Sequence, residues 1–350
     1  RAQPPFAASA MDGYAVAGDA VRPGATFRVV GENAAGRVSD RALGPGEALR
    51  IFTGAPLPPG ADRVVIQEDV SRDGDTVTLK DNLDDATHVR PAGADFAQGQ
   101  EHFPRHPLTP ADLVLIAAMN LPEVTVVRRP VVALIATGDE LVMPGEAPRA
   151  DQIAASNIFG LAAMVEAAGG TARILPIARD SEASLDAVFA LAGGADLVVT
   201  IGGASVGDHD LVGAVAAARG MERSFYRIAM RPGKPLMAGR MDGVPMLGLP
   251  GNPVSAMVCG HVFLLPALRV MLGLGARPAP RRTAPLAAPL AANGPREHYM
   301  RARLTEAGLV PAPRQDSALT GVLAASDALI LRPVDDPARA AGDLVTYLPL

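Results

Sequence analysis

The feature that most limits what this chain can become is an alternation that begins at residue 131. Continuous apolar runs, "VVALIAT", "ARILPIA", "DLVVTIGG", "SFYRIAM" and "VPMLGLPG", take turns with helical stretches such as "SNIFGLAAMVEAAGG" and "SEASLDAVFALAGG". A strand that is apolar on both faces has no side for water, so it belongs in a parallel sheet covered by helices. The pattern predicts an α/β domain over 131–278. Ser156 or Asn157 is expected to cap its first helix, with glycine closing the far end. The longest apolar stretch, "PVSAMVCGHVFLLPALRVMLGLG", carries His261, Pro266 and Arg269. It reads as a buried core helix and not as a membrane span.

The flanks have a different texture. Over 1–99 the short runs "FRVV", "ALRIF", "RVVIQ" and "TVTLK" are separated by Gly, Pro and Asp clusters, which predicts a small β domain. Residues 100–130 form a connector with one apolar helical run, "PADLVLIAAMN". A Pro- and Ala-rich linker at 277–290 leads into a second β-rich module over 279–350. The chain opens on Arg1 and not on Met, so residues upstream are expected to have been removed or never ordered.

Composition narrows the partners. A net charge of −5 and a pI near 5.7 argue against nucleic acid and anionic membranes as partners. The single cysteine, Cys259, forms neither an internal disulfide nor a thiolate zinc site, which fits the cytoplasm. Of 32 basic residues only Lys80 and Lys234 are lysines. Lys234 sits in "RPGKP", where a compact ammonium suits phosphate oxygens better than a planar guanidinium does.

Ligands of an open parallel sheet bind at the carboxyl ends of its strands. Three such ends are unusual here: "ATGDEL" with Glu140, "TIGGASVGDHD" with Gly202, Gly203, Ser205 and Asp210, and "GLPGNPVS" with Pro250, Gly251, Asn252, Pro253 and Ser255. Each alone also reads as plain turn chemistry. Together with Arg227, Arg231 and Lys234 of "RIAMRPGKP" they describe a pocket that mixes amide and cationic anion holders with carboxylates. That mixture becomes tolerable when a hard divalent cation bridges carboxylates and phosphates. No Walker, G-x-G-x-x-G or H-E-x-x-H motif and no elbow serine is present, which weakens the common ATPase, dinucleotide and hydrolase readings.

The ordered set "SAMDGYAV", "IFTGAPLPPGADRVV", "ATGDEL", "GGASVGDHD", "MRPGKP" and "GLPGNPVSA" resembles the molybdopterin molybdenumtransferase family. This is the MoeA family, which includes the C-terminal domain of gephyrin. The resemblance covers nearly the whole chain. It implies a central three-layer, molybdopterin-binding-like α/β domain, a C-terminal β-barrel-like module, and a connector that is the remnant of an elongated N-terminal domain. It implies insertion of molybdate into adenylylated molybdopterin with release of AMP, assisted by Mg²⁺ or another divalent metal. By motif, Asp12, Thr53 and Asp95 match functional positions of the small β domain. Glu140, Asp180 and Asp210 match acidic, metal-holding positions. Arg231, Lys234 and Ser255 resemble molybdate or phosphate holders, and Arg301 and Ser317 match a second oxyanion patch. Relatives of this kind are homodimers whose cleft is shared between subunits, fed by an upstream molybdopterin adenylyltransferase. The family has a further N-terminal helical segment before "SAMDGY", whereas eight residues precede Ser9 here. Two alternatives stand beside this reading: the preceding adenylyl transfer itself, and a non-catalytic scaffold of the gephyrin kind.

Overall fold

The structure is a computed structural model and describes residues 1–37, 39–203 and 211–350. The apolar runs become the strands of a six-stranded sheet, in the order Thr171–Ile174, Val131–Ala136, Leu197–Ile201, Val244–Leu249, Pro235–Met241, Glu222–Arg227. The first four are mutually parallel. Their side chains divide by parity, as a period of two demands. Val132, Leu134 and Ala136 pack with the helices Asn157–Ala167 and Pro253–Met271, and Ala133 and Ile135 pack with Glu182–Ala190 and Leu211–Ala218. The result is the expected three-layer arrangement.

One strand departs from the alternation. Pro235–Met241 runs antiparallel to both of its neighbours. Met241 pairs with Val244, so Asp242 and Gly243 form a two-residue hairpin loop with φ of 51° and 78°. Positive φ at both positions is what a hairpin of this length needs, and Asp-Gly supplies it. That dipeptide was the available signal, and the pattern of alternation hid it.

The helix Pro253–Met271 is long and apolar enough, by length and composition, to cross a membrane. Val254, Ala256, Val258, Leu264 and Leu268 are nevertheless packed into the sheet's core. Truncating one of these leucines to alanine costs about 2–5 kcal/mol. Its middle, Gly260–Leu264, winds as a π turn. Pro266 has no N–H to continue the α-helical ladder, which accounts for the local rewinding. Asn157–Ala167 does start after Ser156, but Ser156 has helical dihedrals and makes no side-chain cap. Ser156 Oγ donates to Asn157 Oδ1 at 3.4 Å instead, while Gly169 at φ +90° ends the helix as expected.

The chain divides into two compact units, Arg1–Thr125 and Val126–Leu350. The second unit also holds a β module of six strands around Ala302, Leu309, Ile330 and Tyr347. Its edge strand, Met230–Arg231, comes from the α/β part and pairs in parallel with Glu297 and His298. The first unit is built on another six-stranded sheet, in the order Arg63–Ile66, Gly13–Val16, Glu47–Ile51, Thr26–Asn33, Thr76–Leu79, Val70–Asp73. Its helix Pro110–Ala118 is fixed by a capping box, in which Thr109 and Asp112 satisfy each other's amides. The Thr109 hydroxyl, which donates to Asp112 Oδ2 at 2.6 Å, then the Thr109 amide and His102, hold the Asp112 carboxyl far below the usual carboxylate range.

Candidate functional site

Three strand ends meet at the carboxyl edge of the α/β sheet because their turns lack side chains where they touch. Gly202 has φ +97°, and a Cβ there would fall 2.7 Å from the Thr137 carbonyl oxygen. Gly203 has φ +65°, and its Cβ would fall 2.3 Å from Val212 Cγ2. A Cβ on Gly251 would be 3.4 Å from Gly202 Cα. The three turns enclose a cleft of about 1380 Å³.

Glu140, Asp180, Gly202, Gly203, Pro250, Gly251, Asn252 and Pro253 all line this cleft, so the structure brings these expected residues together. Ser205 and Asp210 lie outside the described residues. The Glu140 carboxylate folds back over Gly138, where a Cβ would sit 2.3 Å from Oε2. Neither the Glu140 nor the Asp180 carboxylate accepts a hydrogen bond among the described residues. An exposed carboxylate without a partner keeps its lone pairs for a ligand. Thr137 and Asn157 also line the cleft, and Asn157 Nδ2 donates to the Gly251 carbonyl at 2.7 Å, which braces the "PGNP" turn. Sequence reasoning had treated Asn157 only as a possible cap.

The helix start at Pro253 offers an anion less than the sequence suggests. Pro253 has no N–H, and the Val254 amide donates to the Ser317 carbonyl at 3.0 Å. Ser255 is buried in the helix's first turn. The 315–319 loop thereby reaches the cleft, and Ala318 forms part of its wall.

The cations gather elsewhere. Arg227, Arg231 and Lys234 are exposed and are not among the residues lining the cleft. Arg227 lies 5.5 Å over the Tyr226 ring. Arg231 pairs through its backbone with His298 and, with Arg332, Arg301 and Arg296, surrounds that buried ring. Burial first, and then these guanidinium groups, push the His298 pKa from 6.5 down to about 4. Arg301 is itself buried, its Nη1 donating to the Leu319 carbonyl at 3.3 Å. Burial lowers its pKa, and the nearby Asp316 carboxylate opposes that. Two expected oxyanion holders, Arg231 and Arg301, thus share one basic cluster, and Gln315 ties Arg301 to the loop that carries Ser317. The role of His298 in that cluster had no signature in the sequence.

In the first unit, Asp12 and Thr53 come together. Asp12 Oδ1 accepts from both the Thr53 amide and the Thr53 hydroxyl, each at 2.8 Å. The amide bond, then the hydroxyl, hold this carboxyl below its ordinary range, with a smaller contribution from Arg50. Asp95 lies on a separate exposed turn, its amide bonded to the Gln3 carbonyl.

Three family profiles match in order: MoeA N-terminal region (domain I and II) over residues 1–120, probable molybdopterin binding domain over 133–270, and MoeA C-terminal region (domain IV) over 283–350. Molybdopterin molybdenumtransferase 2 of Mycobacterium tuberculosis is 39% identical over 321 residues, covering 88% of this chain and 79% of that protein. The chain belongs to the MoeA family of molybdopterin molybdenumtransferases. The molybdopterin molybdenumtransferase of Haemophilus influenzae is 36% identical over 273 residues, 77% of this chain and 67% of the other. A crystal structure of a molybdopterin biosynthesis MoeA protein from Pyrococcus horikoshii superposes with a TM-score of 0.86 at 29% identity. That match covers 99% of this chain and 88% of that one.

The cleft's donor set suits one kind of metal. Its titratable lining residues, Glu140, Asp180 and Glu182, are all carboxylates, with no His or Cys among the described lining residues. An all-oxygen set matches a hard cation and not zinc or copper. No group of three His, Cys, Asp or Glu capable of holding a metal alone occurs among the described residues. Mg²⁺ needs no such cage, because it binds through one or two carboxylates plus substrate phosphates.

Proposed function

We propose that this MoeA-family chain inserts molybdate into adenylylated molybdopterin with release of AMP, aided by a divalent cation such as Mg²⁺. The observation that carries the reading is a pair of open carboxylates, Glu140 and Asp180, in a cleft also lined by the glycine turns at Gly202, Gly203 and Gly251. Glu140, Asp180 and Asp210 would hold the cation, which supplies Lewis-acid neutralisation of pyrophosphate oxygens when bound. Gly202, Gly203, Gly251 and Asn252 accept the substrate close against the backbone, with Pro250 and Pro253 setting the turn. Arg231, Arg227 and Lys234, with Ser205, attract molybdate or the departing AMP, and Arg301 and Ser317 serve a second oxyanion. Asp12, Thr53 and Asp95 complete the site from the small β domain.

The same reading includes a homodimer in which that β domain faces the partner's cleft, a cytoplasmic location and an upstream adenylyltransferase. The division into 1–99, 100–130, 131–278 and 279–350 stands as part of the proposal. MoeA-specific profiles at both ends of the chain weigh against adenylyl transfer as its activity. The deciding experiment supplies purified protein with adenylylated molybdopterin, molybdate and Mg²⁺. AMP release coupled to active cofactor supports the reading. Consumption of ATP with molybdopterin, without molybdate, would instead assign the preceding step.

A further inference from the structure

We infer that Arg179 and Asp139 are positioning residues that fasten Glu140 and Asp180 into one acidic unit, an assignment that rests on the proposed metal-holding role of those two carboxylates. The two segments that carry them are already joined by backbone. Thr137 bridges Ala178, and the Gly138 amide donates to the Ala178 carbonyl at 3.1 Å.

The carbonyls of the turn then show what holds it. Every backbone acceptor in a sharp turn needs a donor or water. The Glu140 carbonyl takes the Ile153 amide at 2.8 Å. The carbonyls of Gly138, Asp139 and Leu141 converge on a single nitrogen, Arg179 Nη1, at 3.3, 3.2 and 2.9 Å. In return Asp139 Oδ1 accepts the Asp180 amide at 3.1 Å. Arg179, from the Asp180 segment, therefore grips the Glu140 turn, and Asp139, from the Glu140 turn, grips the Asp180 segment. The clasp is reciprocal.

Ordinary turn capping does not explain the arrangement fully. Gly138 sits at φ +145°, which leaves room for the Glu140 carboxylate to lie over its Cα. A turn held in that shape fixes the backbone from which the Glu140 carboxylate lines the cleft. Arg179 is exposed and belongs to neither apolar cluster of the sheet, so its truncation opens no core cavity.

The test is Mn²⁺ binding to the full chain, read by the loss of the free-ion EPR signal, alongside thermal melting. E140Q and D180N report the metal site itself. R179M is expected to weaken Mn²⁺ binding by about 10- to 100-fold, as loss of a partner behind a metal ligand does. D139A is expected to weaken it similarly, and R179K to recover part of the affinity with one point-like donor in place of the fork. The Mg²⁺ concentration for half-maximal activity should rise in the same order. Should R179M prove unfolded by circular dichroism, R179K and D139A decide under the same criterion. Wild-type Mn²⁺ affinity in folded R179M and D139A, with E140Q and D180N impaired, would overturn the clasp and leave the metal reading standing. Wild-type affinity in all five variants would overturn both.

Discussion

The two places where this chain displays acidic side chains expected to act on substrate are built in opposite ways. In the first unit Asp12 is partnered, with its Oδ1 accepting from both the amide and the hydroxyl of Thr53. In the second unit the Glu140 and Asp180 carboxylates accept nothing among the described residues, and their backbone is held by neighbours instead. A partnered carboxylate fixes a loop and resists protonation. An open carboxylate held by its backbone is available to a cation without first losing a protein partner. The difference leaves Asp12 fixed to its turn by Thr53, and the proposed cation-holding pair in the cleft free of such bonds among the described residues.

The contrast breaks most visibly at the cleft. E140Q or D180N should slow AMP release by about 100-fold or more, since each removes a charge needed at the phosphoanhydride. Their melting temperatures should hardly change, because neither side chain has a protein partner to lose among the described residues. A large drop in melting with activity retained would make these carboxylates structural. Next in size is the glycine wall. G203A meets both a positive φ and Val212 Cγ2 at 2.3 Å, so it should lose about 1–3 kcal/mol in urea titrations.

The basic cluster sharpens the comparison from the other sign of charge. His298 titrates near 4 in the fold and near 6.5 when released, so the unfolded chain takes up its proton first. Stability should therefore fall as pH drops from 6.5 toward 4, and H298Q should flatten that limb of the pH–stability curve. Smallest is the Asp12–Thr53 pair. Its lowered carboxyl pKa contributes stability at neutral pH that is lost only as pH falls through the folded value, below 3.8. D12A and T53V should be non-additive in a double-mutant cycle, and D12N should lose the acid dependence.

The layered fold was legible because double-faced apolar strands and glycine-ended helices leave few other solutions. Pro235–Met241 escaped because its reversal is written in two turn residues, Asp242 and Gly243, and not in any change of periodicity. The cleft's glycines and carboxylates were legible for a similar reason: Gly202, Gly203 and Glu140 sit where strands end. Arg179 was not, since one arginine that reaches back to three carbonyls has no spacing that marks it. Nor did the sequence reveal that Arg231 and Arg301 converge on His298, which needs the pairing of Met230–Arg231 with a strand that begins at Glu297.

The most direct test of the account is single-turnover AMP release from adenylylated molybdopterin and molybdate, titrated with Mg²⁺, in wild type, E140Q and D180N. The account predicts release in wild type only when molybdate and the divalent ion are both present, and little release in either variant at any Mg²⁺ concentration that saturates wild type. Wild-type rates in E140Q and D180N, or full release in the presence of EDTA, would contradict it.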